Sequence, residues 1–364
     1  MLRKFHFVLL LLISFTSAGQ NKLRELKEKA MSLVNDRPVV VLPAFFVSPE
    51  TSVGLGAVAM HYYRPKKDSL SKPSNFQHII IYTFEKQLIL NNEFDVFFRQ
   101  NKYWFNGKLN YYIYPYRYFG QGSDISTNQY ESYSADYLEF ELNSLIRWKK
   151  NRYLGPTVIF NKYFNIDSEP NGLLRTNNIP GSEPGNLLGF GLSFREDHRN
   201  NLFAPTEGYY IEGRFLQYEE KFIGNYSFTD MFLDLRKYHL IKGQWETGFQ
   251  LYHQSVLGDP PFYNLSLLGN SRIMRGYYEG AYRDNHFTAV QAEIRHYIMK
   301  RFIISTFGSL GSIAHDFMDY QKLLGSYGVG IRYEINSKEH LRIRLDYARG
   351  YQSDGIYINI NEAF

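Results

Sequence analysis

His253 and Ser255 stand two residues apart in His253-Gln254-Ser255. On a strand that spacing puts both on one face, here with Phe249 and Leu251. An imidazole beside a hydroxyl could serve as base for a nucleophile. The plainer reading is an interfacial His and Ser near a strand end, and the glycine context after the serine is only partly met by Leu257-Gly258. No Gly-x-Ser-x-Gly, phosphate-binding glycine loop or zinc-spaced His cluster occurs, and Cys is absent. The sequence therefore predicts no enzyme, no catalytic residue, no metal site and no cofactor.

A second group of residues has more context. Arg275-Gly276-Tyr277 sits in a long polar loop, extended by Tyr282-Arg283-Asp284. A clean alternation follows, with Val290, Ala292 and Ile294 against Gln291, Glu293 and Arg295. Gly276 permits a bend that other residues resist. Arg275 can hold a carboxylate with two parallel bonds. Glu293 falls on the polar face of the strand that the loop leads into.

Alternating segments run from Val39 to the end. They are Val39–Val47, Ser52–Tyr63, Phe76–Phe84, Leu88–Arg99, Tyr103–Tyr114, Tyr137–Trp148, Tyr153–Phe164 and Leu188–Arg195, then Gly208–Glu219, Ser227–His239 and Gln244–Val256. Five more follow the Arg275 loop: Phe287–Met299, Phe302–Ala314, Gly325–Ile335, His340–Ala348 and Gly355–Phe364. That makes about sixteen, an even count, each near the ten or so residues a tilted strand needs to cross hydrocarbon. Asp230, Asp234 and Arg236 oppose Met231, Leu233 and Leu235, and Arg342, Arg344 and Asp346 oppose Leu341, Ile343, Leu345 and Tyr347. One polar and one apolar face on strand after strand suits a water-filled lumen inside lipid, and closure leaves no unpaired backbone in the bilayer. The predicted fold is all-β: a transmembrane antiparallel β-barrel of residues 39–364, with a long loop before strand 12.

Composition agrees. Aromatic residues are 17% of the 364, with 31 Tyr and 29 Phe, as girdles at two membrane interfaces require. Mean hydropathy is −0.38, too low for a bundle of membrane helices. The net charge of +5 comes with no clustered basic face, so nucleic acid is not an expected partner. Met1-Leu2-Arg3-Lys4, the apolar run Phe5 to Phe15 and Thr16-Ser17-Ala18 read as a signal peptide, residues 1–18. Residues 19–38 read as a short periplasmic segment, with Leu23, Leu26, Ala30 and Leu33 at helical spacing and Pro38 ending it.

These motifs together resemble the bacterial surface antigen superfamily, the outer-membrane barrels of the BamA/TamA type. The Arg-Gly-Tyr loop is one match. Ser193-Phe194-Arg195-Glu196-Asp197-His198-Arg199-Asn200-Asn201, with Pro205 and Gly208-Tyr209, is similar to a family turn whose counterparts here are Asp197, Arg199, Asn200 and Gly208. Plain turn chemistry would also favour those residues. Gly355 to Phe364, with Ile356, Ile358 and Ile360 sharing a face with Phe364, resembles the C-terminal signal read by barrel-assembly machinery.

The resemblance implies that the long loop before strand 12 is inward-folded and locked in the lumen by Arg275, Gly276 and Tyr277 against Glu293. Relatives have an acid where this chain has Ser309, so Arg275 is expected to lean on Glu293 alone, or on Asp316 if the register allows, with water in the lumen. It also implies a weak seam between the first and last strands, and a role in inserting, assembling or translocating proteins or lipids. The periplasmic POTRA domains of the family have no counterpart in residues 19–38, which are too few to fold one. Expected surroundings are the outer-membrane bilayer and lipopolysaccharide of a Gram-negative cell, with outer-membrane proteins as clients, barrel-assembly machinery for the chain's own insertion, and a monomeric state. The alternatives are a passive diffusion pore and, further off, an interfacial phospholipase using His253 and Ser255, as in the outer-membrane phospholipase barrel.

Overall fold

Leu192, Phe215, Leu233, Leu251, Val290, Ile304, Val329, Ile331 and Leu345 are all exposed, while Asn143, Thr157, Asp234, Gln250, Glu293 and Asp346 are buried. In water this burial would be inverted. With lipid outside and a polar lumen within, it is the stable arrangement. The computed structural model of the chain describes residues 39–48, 52–63, 68, 71–72, 74–241, 245–336 and 340–364. The expected signal peptide and the segment 19–38 lie outside the described residues.

The strands are β1 Val39–Ser48, β2 Ser52–Tyr63, β3 Ser74–Thr83, β4 Leu88–Phe98, β5 Tyr103–Tyr118 and β6 Glu131–Lys149. Next come β7 Arg152–Ser168, β8 Gly185–Asp197, β9 Gly208–Tyr218, β10 Phe228–Ile241 and β11 Trp245–Gly258. A small hairpin, β12 Ser266–Leu268 and β13 Tyr282–Asp284, lies inside the long loop. The wall resumes with β14 His286–Met299, β15 Phe302–Ala314, β16 Leu324–Asn336, β17 Leu341–Gly350 and β18 Ser353–Ile360. Apart from the β12–β13 hairpin, these form one 16-stranded antiparallel sheet in which every strand pairs with the next. β14 is the twelfth wall strand, and the long loop precedes it. The sheet curls until β18 lies beside β1. No hydrogen-bonded ladder joins those two strands among the described residues.

Long loops at residues 119–130, 169–184, 219–227, 259–285 and 315–323 share one end of the barrel, and the tight turns at 99–102, 150–151 and 300–301 share the other. At the long-loop end, Tyr118, Tyr133, Tyr163, Leu187 and Phe262 pack with Leu174 of the short helix α1, Leu173–Thr176. Phe262 N donates to Pro180 O at 2.8 Å and Gly122 N to Arg283 O at 2.9 Å, so these loops cap the mouth together.

Strand boundaries differ from the sequence expectation in two regions above all, the long-loop end of β5 to β7 and the C-terminus. β5, β6 and β7 run past the expected ends at Tyr114, Tyr137 and Phe164. Tyr118, Tyr133 and Ile166 in the extensions are buried against the cap, and a bulge at Asp136/Tyr137 resets the alternation there. A pattern read by strict period two stops at such a bulge. β18 ends at Ile360 rather than Phe364. Asn361 takes a positive φ of 71° and donates its N–H to Arg342 O at 2.7 Å. The chain then turns inward, and Phe364 packs against Tyr238. Ile356, Ile358 and Ile360 therefore do not share a face with Phe364.

Candidate functional site: a latch in the lumen

The latch begins with the loop between β12 and β13. Asn270 Oδ1 accepts from Arg272 N and Ile273 N at 2.7 and 2.8 Å, turning the chain toward the lumen. Leu268, Met274, Tyr277, Tyr282, Phe287 and Ile313 then pack together, giving the loop an apolar body. Gly276 has φ +106°, a backbone state that costs an L side chain strain. A Cβ there would lie 2.8 Å from Gly350 N and 2.9 Å from Arg349 C, so the loop rests directly on β17. Gly276 N donates to Tyr357 Oη of β18 at 2.8 Å. The Tyr277 hydroxyl donates to Gly325 O at 2.7 Å and accepts from Tyr351 N at 2.9 Å.

This places the Arg275 guanidinium, fully buried, between two walls. Its Nη2 donates to Glu293 Oε2 at 2.6 Å, and its Nη1 to Asp346 Oδ2 at 2.5 Å. The guanidinium carbon lies 3.4 Å from the centre of the Phe307 ring. The second carboxylate is thus Asp346 on β17. Asp316 sits in the exposed 315–323 loop, away from the latch. Ser309 donates to Gln291 Oε1 at 3.2 Å and takes no part in holding Arg275.

Around this pair lies a larger charge cluster. Arg332 spans Glu293 Oε1 at 2.7 Å and Asp346 Oδ1 at 2.5 Å. Arg295 reaches Glu293 at 3.0 Å and Glu362 at 3.3 Å. Arg342 grips Glu246 with two bonds of 2.9 Å and Glu362 with one of 2.8 Å. Arg344 donates to Asp346 at 3.0 Å. Glu334 stands 4.0 Å from Arg342. Five arginines therefore face five carboxylates in a region closed to solvent. Buried charges are tolerable only when paired and hydrogen-bonded in this way.

Glu362 lies beyond the last strand. Burial would raise its carboxyl, but Arg295, Arg332 and Arg342 outweigh that and hold it at about 2. A carboxyl held below its unfolded value near 4.5 adds stability that is complete above that value and is lost as pH falls toward 2. We expect E362Q to unfold at lower urea than the native barrel at pH 7, with the gap closing between pH 4.5 and about 2. Tryptophan fluorescence during urea titration in lipid vesicles measures this; a gap that persists at pH 2 contradicts it.

The turn after β8 is built as its residue types suggest. Asp197 accepts from Arg199 Nε and Nη2 at 2.9 and 3.0 Å. Asn200 Oδ1 accepts from Thr206 N and Glu207 N, and Gly208 takes φ +98°. The turn also reaches the charge cluster, since Pro205 O accepts from Arg295 at 3.4 Å. Phe364 O accepts from Arg295 at the same distance, so the inward-turned end is tied to the cluster as well.

The structure therefore brings Arg275, Gly276, Tyr277 and Glu293 into one site, with the Asp197 turn and Phe364 at its border. Ile356, Ile358 and Ile360 stay on the wall. Asp346, Arg332, Glu246 and Glu362 are partners that the sequence pattern does not single out. The signal lay in the polar face of β17, where Arg342, Arg344 and Asp346 recur at period two.

Comparison with known proteins agrees with this architecture. The chain resembles the structure of BamA from Haemophilus ducreyi lacking POTRA domains 1-3 at 12% identity, with TM-score 0.59, covering 89% of this chain and 70% of that one. CdiB from Acinetobacter baumannii matches at 11% identity and TM-score 0.58, covering 90% of this chain and 60% of that one. CdiB from Escherichia coli matches at 10% identity and TM-score 0.59, covering 89% and 62%. The chain thus spans less than two thirds of the length of either CdiB structure. At these identities the likeness concerns the fold. A search of curated proteins finds no match. The model of the Omp85 superfamily domain matches residues 82–364, the stretch that holds both the wall and the loop latched into it, and on that match the chain belongs to the Omp85 superfamily.

Proposed function

We propose that this outer-membrane barrel assists the insertion or translocation of polypeptides in a Gram-negative outer membrane, using the β1–β18 seam as its working edge. One observation carries the reading: β18 lies beside β1 without a ladder among the described residues. A strand edge with free N–H and C=O groups is a template for an incoming strand. The two sides of the seam are unequal. β18 pairs with β17 and is pinned to the latched loop through Tyr357 and Gly276. β1 has its ladder with β2 alone among the described residues. The moving side is therefore β1. On this reading its clients are outer-membrane proteins, its surroundings phospholipid and lipopolysaccharide, and its working state a monomer.

The test uses the full chain in lipid vesicles and an unfolded, urea-diluted small outer-membrane barrel as client. Folding of the client is followed by its heat-shifted electrophoretic mobility. The native protein is expected to accelerate folding. Cysteine pairs scanned along Val39–Ser48 and Ser353–Ile360 that cross-link the seam should abolish the acceleration, and reductant should restore it. An acceleration of zero with the unlocked protein, or one that survives cross-linking, overturns the proposal.

A further inference from the structure

Ser255 and His253 lie on the outer wall, away from the latch. They occupy the lipid-facing side of β11, which carries exposed Phe249 and Leu251. Ser255 itself is buried. Its Oγ lies 2.8 Å from His253 Nε2 and 2.8 Å from Nδ1 of His286, the first residue of β14. The other nitrogen of His253, Nδ1, is 2.7 Å from Thr288 Oγ1. Thr288 in turn meets the Tyr320 hydroxyl. Two protonation patterns, each the reverse of the other, satisfy the first three contacts. In the one that makes His253 the base, Ser255 donates to His253 Nε2, His253 Nδ1–H donates to Thr288, and His286 Nδ1–H donates to Ser255. In that pattern the serine has a base, and the base has a group that fixes its ring, the arrangement an activated nucleophile needs.

Two more features surround this cluster. Phe317, from the 315–323 loop, stands edge-on over both imidazoles, with ring centres 5.7 Å from His253 and 5.6 Å from His286. Beside His253 a groove of about 380 Å³ runs along the outer wall, lined by Leu192, Phe215, Met231 and Leu233. Gly213 lines it too and contributes no side chain. The groove is apolar, faces lipid and ends at the imidazole. A fatty-acyl chain fits that chemistry.

We propose that Ser255 is the nucleophile of an acyl-ester hydrolase acting on membrane lipids, with His253 as its base and the acyl chain seated in the Leu192–Leu233 groove. Ser255 Oγ bonds to the ester carbonyl carbon as its proton passes to His253 Nε2. The carbon–oxygen bond to the lipid alcohol breaks, and that alcohol leaves with the proton. Water then attacks the acyl-serine, giving up a proton to His253, and free fatty acid departs as Ser255 recovers its hydrogen. His286 Nδ1–H, already aimed at the serine oxygen, is the donor closest to the developing oxyanion. Thr288 acts as a positioning residue through His253. Phe317 covers the site and must swing away to admit substrate.

The test is covalent labelling of the full-length protein in phosphatidylethanolamine–phosphatidylglycerol vesicles with an alkyl fluorophosphonate, mapped by mass spectrometry, alongside release of fatty acid from the same vesicles. The native chain should be labelled at Ser255, and S255A should be neither labelled nor active. H253A should lose about 100-fold or more in labelling rate, and F317A should label faster than the native chain. T288V should slow labelling and shift its pH profile, with T288S restoring both. Heat-shifted mobility identifies any variant that fails to fold. If neither the native chain nor F317A forms an adduct at Ser255, the cluster is a polar anchor for the 315–323 loop and the proposal falls. This result is independent of client folding at the seam.

Discussion

Arg275→Ala will destabilise the barrel by about 3 kcal/mol, the low end of the cost of breaking a buried ion pair from one side. The low end applies because neither carboxylate is left alone. Glu293 keeps Arg332 and Arg295, and Asp346 keeps Arg332 and Arg344. What is lost is the charge balance, the bridge between β14 and β17 through the loop, and the contact with the Phe307 ring. R275K will recover little, since a compact ammonium lacks the fixed planar fork whose two arms reach Glu293 and Asp346 at once and whose face lies on the Phe307 ring. Urea unfolding in vesicles gives the magnitude. Planar-bilayer recordings give the consequence: the native barrel should be nearly silent and R275A should conduct. A variant as stable and as silent as the native chain would show that the loop is held by its apolar body instead.

Gly276→Val should unseat the loop more completely. The position combines φ +106° with the backbone of β17 within 3 Å of any Cβ. Backbone strain of this kind costs about 1–3 kcal/mol, and forcing atoms into a packed contact costs about as much again. The N–H bond to Tyr357 would break with the displacement. Hydrogen exchange should then rise across residues 269–281 in G276V while the β5–β7 wall keeps its protection. Unchanged exchange in the loop would mean the close approach to β17 is not what seats it.

The wall was legible because one physical rule repeats over it. Lipid outside and water inside force alternation, and Met231-to-Leu235 or Leu341-to-Tyr347 record it plainly. The loop was legible through Arg275-Gly276-Tyr277, whose types state a bend and a paired cation. Asp346 was hidden by distance along the chain. It lies 71 residues from Arg275, and nothing local marks which acid on which strand will face the loop. The inward turn of Phe364 was hidden for a different reason. The alternation of Ile356, Ile358 and Ile360 points on toward Phe364, whereas a single positive-φ residue, Asn361, ends it. The His286 side of the outer-wall cluster was equally invisible, because β11 and β14 become neighbours only after a long detour through the lumen.

All ten charged residues of the latch, from Glu246 to Glu362, come after residue 245. The ion pairs of the latch are thus complete within the last third of the polypeptide. A half-assembled molecule holding only β11 to β18 and their loop can match every one of these charges before the first ten strands arrive. Construction from the C-terminal end would leave none of these ten ions stranded in the bilayer, whereas construction from the other end would gain the matching arginines and acids only at the final step.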